Sequence, residues 1–462
     1  MTAATDSAVL PVSAGIDPAR TPISVVEIDL DRSRIAPPPG VGRADAAISG
    51  PVLGLVRWHG RPLGVAHGRL EAAAGGTERL LDAVHREFAD RIAAHEARDA
   101  GHGADSPAAA PLPTSALPVP ARVSGDGPAC ARIRAERLAE PVSISVIVAT
   151  RERPTSLARC LDSLLRQDYP GLEIVVVDNA ASTTATRELV HGRYGDRVRY
   201  VAEPVPGLAT AHNRGLTVAR GEILAFTDDD VVVDAQWASA LVEAFRAYPR
   251  AGCVTGLIMP AELETRAQAM LERRGSFAKG FDVVEHHRSA PRHPLFPFTA
   301  GRLGSGANMA FTAEVLRELG GFDPALGTGT AARGGDDLLA FFRCAAAGHA
   351  VVYQPEALVW HHHRSEDEAL ARQALGYGVG LGAYLTAALV HEPRMIPALI
   401  RRLPRGLLYA RRDSSPDEAD PQAWPAELSR LERRGLLSGP AAYARSRWHA
   451  RARARGTESK GN

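Results

Sequence analysis

Lysine is nearly missing from this chain of 462 residues, occurring only at Lys279 and Lys460 while arginine supplies the remaining basic side chains. That skew, beside abundant alanine, reflects base composition more than chemistry, so clusters of arginine carry reduced weight. Net charge is only +1, which removes any bulk electrostatic argument for a nucleic-acid partner. The four cysteines, Cys130, Cys160, Cys253 and Cys344, lie far apart without CxxC spacing. Their spacing argues against a zinc site or a disulfide framework and for a reducing compartment. No run of 18 or more strongly apolar residues reads as a spanning helix, the nearest being the glycine-rich 375–390. Residues 1–10 lack a basic n-region and a long apolar h-region, so no signal peptide is expected and a cytoplasmic location is.

What is present divides the chain. Residues 1–20 read as a disordered lead. Residues 21–100 read as a small α+β module, with strands at 25–30, 52–57 and 63–66, a hairpin turn at His59-Gly60, and a helix over 77–100 with Thr77 as N-cap. No chemical constellation stands out in it, and His67 and His85 read as surface histidines. Residues 101–140 form an Ala/Pro/Gly-rich linker and a short helix. Residues 141–365 hold the main domain, and 366–462 a helical extension with a basic tail.

The main domain opens with a β-branched strand, 142–149, followed by Thr150-Arg151-Glu152-Arg153-Pro154. Pro154 fits the first turn of a helix over 155–167 striped by Leu157, Leu161, Leu164 and Leu165. A second strand, 172–177, ends at Asp178-Asn179. Strand, helix, strand at these lengths is a βαβ unit, hence a parallel sheet. Its strand ends direct Thr150 to Arg153 and Asp178 into one crevice, where Arg and backbone N–H groups face phosphate and a carboxylate accepts from a base or ribose. Asp178 reads equally as the cap of the following helix. A helix over 208–219 carries His212, Asn213 and Arg214. Residues 270–302 read as an irregular substrate loop, 304–311 as a Gly-rich turn into a strand, and 351–353 and 357–360 as two strands.

Everything is organised around Glu222 to Val231. The apolar strand Ile223 to Phe226 stops in Asp228, Asp229 and Asp230. Alone, three adjacent acids are a solvated turn. At the carboxyl end of a strand in an open α/β sheet they are hard oxygen ligands for Mg2+ or Mn2+. Further on, Gly335 leads Asp336 and Asp337 into a helix over 338–347, and a strand ends in His361-His362-His363-Arg364.

In this order the motifs resemble family 2 glycosyltransferases of the GT-A fold, over residues 143–390. They run Ser145 to Thr150 with Arg153-Pro154; Ile174 to Asn179; Asn213-Arg214-Gly215; and Phe226 to Val231. Gly306-Ala-Asn308, Gly320-Gly-Phe-Asp323, Gly335-Asp-Asp337 and Val359-Trp-His361 complete them. Two positions depart from the family pattern: Asp336 stands where Glu is usual, and the turn after Asn179 lacks its final acid. The resemblance implies an α/β fold with a mixed, mostly parallel sheet flanked by helices. It implies inverting transfer of a sugar from a nucleotide-diphosphate donor to an acceptor hydroxyl. Asp337 is then the general base with Asp336 as its partner, and Asp228, Asp230 and His361 the ligands of Mn2+ or Mg2+. Thr150, Arg151, Arg153, Asp178, Asn213, Arg214, Asp228, Asp229 and Asn308 become donor contacts.

Two other readings compete. A nucleotidyltransferase needs a basic residue cradling the triphosphate near a Gly-rich first loop, and the 150–154 segment, free of both lysine and glycine, is not such a loop. An inactive nucleotide-sugar binding module would not need Asp228, Asp230 and Asp337 together. Residues 366–410 and the C-terminal arginines read either as a helical cap or as an interfacial element on anionic lipid at the inner membrane face.

Overall fold

A computed structural model describes residues 15–41, 48–71, 75–101, 128–275, 277–402, 404 and 424–458. Most of the expected linker and much of the expected disordered lead therefore lie outside the described residues. From residue 15 the chain is packed, with Ile16 buried.

The N-terminal module is a four-stranded sheet in the order β2-β1-β3-β4, with β1 Ser24–Asp29, β2 Arg34–Ala36, β3 Gly50–Trp58 and β4 Arg61–Leu70. Trp58 pairs with Arg61, leaving His59 and Gly60 as a two-residue turn with φ of 52° and 74°. Both central residues are left-handed, as the hairpin twist demands. Two helices follow, α1 Gly76–Glu87 and α2 Ala89–Gly101, where one was expected. Phe88 breaks them apart, and Gly75 rather than Thr77 occupies the N-cap. One sheet face packs Val26, Ile28, Val52 and Val56 against the helices. The other packs Leu53, Leu55 and Val65 against Val232, Leu257, Met259, Tyr353 and Trp360 of the main domain. Period-two alternation thus gives this small sheet two buried faces, and Arg57 seals the joint by bonding Glu27 at 2.6 Å and Asp234 at 2.5 Å.

After α3 (Ala129–Arg137) come β5 Ile144–Thr150, α4 Pro154–Leu164, β6 Leu172–Asn179, α5 Ala185–Leu189, β7 Arg199–Glu203, α6 Leu208–Val218 and β8 Ile223–Asp228. Next are β9 Val231–Val233, α7 Trp237–Ala247, β10 Ala251–Pro260, α8 Arg266–Gly275, β11 Val284–His286 and β12 Asn308–Thr312. The chain ends through α9 Ala313–Glu318, α10 Asp336–Ala347, β13 Ala350–His361, α11 Asp367–His391 and α12 Ala426–Glu458. The main sheet runs β11-β13-β10-β12-β8-β5-β6-β7, with β9 on β13. Strands β8, β5, β6 and β7 are mutually parallel, and β12 is antiparallel to both neighbours. This is the mixed, mostly parallel α/β architecture that the motifs imply.

The differences have local causes. Helix α8 falls partly where irregular chain was expected. Thr265 and Gln268 close a capping box at its start, the Gln268 side chain accepting from the Thr265 N–H at 3.1 Å. Strands β2 and β9 are three residues long, too short to show a period. The two strands expected at 351–353 and 357–360 are one strand, interrupted by a bulge against Gly256-Leu257.

Helices α11 and α12 approach backbone to backbone through glycines four apart on each, Gly378 and Gly382 against Gly435 and Gly439. A Cβ on Gly378 would lie 2.0 Å from the Glu432 carbonyl. This pairing of small residues is the close-contact device of membrane helices, here covering α10.

Candidate active site

The carboxyl ends of β5, β6, β8 and β13 open onto a cavity of about 700 Å³. Parallel strands that all end on one edge place their next residues together, which is why ligands of such sheets bind there. Lining it are Thr150, Arg151, Arg153, Asp228, Asp229, Asp230, Asp336, Asp337 and His361, residues drawn from four separated segments.

The acidic run is shared between two cations. Arg153 donates to Asp229 at 2.5 Å and to Asp230 at 2.7 Å, while Thr150 donates to the buried Asp229 at 2.6 Å. Strand β9 then pairs antiparallel with β13, setting Val231 opposite His361. The register brings His361 Nε2 to 3.3 Å from Asp230 Oδ1. Burial acts to raise Asp230, but His361 and Arg153 outweigh it and hold this carboxyl well below the usual range. Asp228 is less well compensated: burial and then Asp230 push it up to about 7 against His361. Asp229 is raised to about 6, by burial opposed by Arg153. Behind His361, its Nδ1 lies 3.2 Å from Nδ1 of His363, whose Nε2 is 2.9 Å from the buried Glu272.

The ligating atoms of Asp228, Asp230 and His361 all lie within 4.8 Å of one another. Asp230 Oδ1 is buried and makes no hydrogen bond. Two carboxylates and an imidazole around an unsatisfied buried oxygen fit a divalent cation of the Mn2+ or Mg2+ kind.

Across the cavity Asp336 and Asp337 occupy the first turn of α10, after Gly335 at φ 85°. Asp337 Oδ2 accepts from the Gly306 N–H at 2.8 Å, and Oδ1 from its neighbour Leu338 N–H at 2.8 Å. A Cβ on Gly306 would lie 3.2 Å from that of Asp337, so glycine is what lets the loop come this close. Burial raises the Asp337 carboxyl, against those two amides. Asp336 points inward instead, with Oδ2 3.8 Å from Nδ1 of His212. Burial and the adjacent Asp337 raise it to about 8. His212 sits between Phe226 and Phe322, and burial pushes it down to about 3. The pair is therefore neutral near pH 7, and of the two carboxyls on α10 Asp337 is the one tied to the Gly306 loop across the cavity.

Four residues expected at the donor are placed elsewhere, none of them among the cavity's lining. Asn308 is fully buried as a scaffold clamp: it accepts from Trp237 Nε1 at 2.9 Å and donates to Leu257 and Ala357 carbonyls at 3.0 and 2.7 Å. Asn213 exchanges two hydrogen bonds with the Phe322 backbone, at 2.8 and 2.9 Å, tying α6 to the turn after α9. Arg214, one position on, faces solvent. Asp178 is buried and accepts from the Tyr200 hydroxyl at 2.9 Å; its neighbour Asn179 lines the cavity instead. Sequence reasoning missed Lys279, Arg333, Arg364 and Tyr377, which line it too. Lys279 carried a signal, being one of two lysines in the chain, and Arg364 closes the His361-His362-His363-Arg364 run; Arg333 and Tyr377 come from a loop and a helix with no local pattern.

Residues 145–320 match the family description "Glycosyl transferase family 2". The chain is 25% identical over 253 residues to the glucosyl-dolichyl phosphate glucuronosyltransferase of Haloferax volcanii, covering 51% of this chain and 75% of that protein. It is 25% identical over 259 residues to a pre-mycofactocin glycosyltransferase of Mycobacterium tuberculosis, covering 56% of this chain and only half, 50%, of the relative's length. Among solved structures, the mannosyltransferase PcManGT from Pyrobaculum calidifontis in complex with GDP-Man and Mn2+ aligns over 71% of this chain and 85% of its own, at 20% identity and a TM-score of 0.38. By the family match and the order of its motifs, the chain carries a glycosyl transferase family 2 domain at residues 145–320.

Proposed function

We propose that this protein transfers a sugar from a nucleotide-diphosphate donor to an acceptor hydroxyl with inversion at the anomeric carbon. The observation that carries the reading is the opposition of Asp337 to the Asp228–Asp230–His361 cluster across one cavity, within a family 2 domain.

In this reading Asp337 takes the proton from the acceptor hydroxyl as its oxygen attacks the anomeric carbon. The bond from that carbon to the diphosphate breaks on the opposite side. One carboxylate suffices for such a displacement, held in place by the Gly306 and Leu338 amides. Asp336, kept neutral beside His212, shapes the floor beneath it. Arg151, Lys279 and Arg333 line the same cavity and face the departing diphosphate with positive charge. Asp228, Asp230 and His361 would hold the Mn2+ or Mg2+, which when bound supplies Lewis-acid neutralisation of the diphosphate. Slow release of nucleoside diphosphate from one member of a nucleotide-sugar panel, without acceptor, tests the reading. Binding of a sugar nucleotide with no release under any metal condition would instead favour a binding module.

A lipid-linked acceptor is the second reading, favoured by one surface. Leu437 is 83% exposed and Trp448 66% exposed on α12. Eleven positions are about three helical turns, so the two share a face. Arg433, Arg434, Arg445 and Arg451 are exposed on the same helix. Apolar side chains ringed by arginine fit the boundary of an anionic lipid surface.

A further inference from the structure

A second polar cluster lies in the N-terminal module, outside the catalytic cavity. His59 is in the β3–β4 turn, His95 and Asp99 sit one turn apart on α2, and Cys130 opens α3. Cys130 Sγ is 3.7 Å from His59 Nδ1. Asp99 Oδ2 is 3.7 Å from His59 Nδ1 and 3.7 Å from His95 Nε2. All four ligating atoms fall within 4.8 Å of one another. His95 Nε2 and Asp99 Oδ2 are buried and make no hydrogen bond. The two Asp99 separations are too long for hydrogen bonds, and the sulfur contact is at most a weak one. All three separations are close to the edges of a tetrahedron about a metal: bonds of about 2.0 to 2.3 Å put ligand atoms about 3.3 to 3.6 Å apart.

We propose that His59, His95, Asp99 and Cys130 form a structural Zn2+ site that fastens the N-terminal module to α3. Two imidazoles, a thiolate and a carboxylate are the ligand set of zinc rather than of Mg2+ or Ca2+, which take oxygen. All four tetrahedral positions are filled by protein, the mark of a structural site rather than a catalytic one. Binding releases the Cys130 thiol proton to solvent. The thiolate and the Asp99 carboxylate then balance the charge of the ion. The neighbouring Arg61 does not oppose this, because its guanidinium is committed to Glu356 at 2.5 Å while it donates to the Cys130 carbonyl at 3.1 Å.

The consequence is architectural. From α3, Arg134 bonds Glu243 at 2.9 Å and Gln236 at 2.6 Å, and also Glu356, anchoring the helix on the main domain. An ion shared by His59, α2 and Cys130 therefore pins module and main domain across residues 102–127. Cysteine spacing gave no hint of it, since the ligands come from three segments and include a single Cys.

The test is metal analysis of the full chain carrying Asp228→Asn and Asp230→Asn, so that catalytic-site metal is removed, followed by Co2+ titration of the chelator-stripped protein. The expected result is one equivalent of retained zinc. Co2+ should then give intense tetrahedral d–d bands with a thiolate charge-transfer band, which Cys130→Ser abolishes and His95→Ala weakens. Chelation should lower the Tm of the unsubstituted ligand set and leave that of Cys130→Ser unmoved. Absence of zinc with only weak octahedral Co2+ absorption overturns the proposal. So does an unchanged Co2+ spectrum in Cys130→Ser. If the ligand variants fail to fold, the zinc content and Co2+ spectrum of the protein with its ligands intact decide alone.

Discussion

Asp230 and His361 meet at 3.3 Å although 131 residues of sequence separate them, because β9 and β13 pair in a register that sets Val231 opposite His361. Asp228 joins them, the ligating atoms of all three lying within 4.8 Å of one another. Removing divalent metal with EDTA should abolish donor turnover, and Mn2+ or Mg2+ should restore it. His361→Ala should raise the metal concentration needed for half-activity by about tenfold or more, the loss typical of weakening one ligand position. Turnover at full rate in EDTA, with unaltered donor affinity, would contradict the assignment.

Asp336 offers a sharper contrast. Its carboxyl is raised from 3.8 to about 8 by burial and by Asp337, so it is protonated at neutral pH. A carboxyl with a raised folded pKa favours the folded state fully below pH 3.8, and that contribution is lost as pH rises toward 8. Asp336→Asn mimics the protonated form, so it should flatten the fall in stability between pH 4 and 8. Turnover should drop by less than about tenfold, a barrier change under about 1.4 kcal/mol. Urea midpoints across that pH range check the first point. An Asp336→Asn protein that is dead, beside an active Asp337→Asn, would shift the base by one residue.

Asn308 separates scaffold from donor contact. Asn308→Ala strands the Trp237 indole N–H and two carbonyls in a dry interior, at a cost of about 2–4 kcal/mol. Thermal unfolding should register that loss, while donor affinity in the surviving folded fraction stays near the parent value. A stable Asn308→Ala with impaired donor binding would return the residue to the site.

The chain order of strands and helices was legible because βαβ units announce themselves by period and length. The carboxylates that line the cavity were legible for a similar reason: Asp228 to Asp230 end a buried strand, and Asp336-Asp337 follow a glycine at a helix start. Asn213 and Asn308 were misplaced because a motif position says that an amide is needed, not whether it faces ligand or backbone. Lys279 and Arg333 were missed because loops bring them in from outside any period. The His59, His95, Asp99 and Cys130 cluster was missed for the deepest reason. Its members are joined only by the fold of a module whose sequence has no motif.

The exposed apolar face of α12 should carry the protein onto anionic vesicles. Flotation with liposomes containing anionic lipid at low salt should bring it to the top of the gradient, and salt should reverse this as screening grows. Leu437→Ser with Trp448→Ser should remain at the bottom. Parent protein that stays at the bottom under low salt would exclude direct lipid binding.

The central claim is that Asp337 removes the acceptor proton while the donor is held by other groups, and one comparison reads it directly: donor affinity and turnover measured together for Asp337→Asn. Asn nearly matches Asp in shape and keeps an acceptor oxygen for the Gly306 amide. Turnover should fall by about 10²–10⁴-fold, the range for loss of a positioned general base. Donor affinity should change by less than about threefold, under about 0.7 kcal/mol. Turnover near the parent rate in Asp337→Asn would contradict the account.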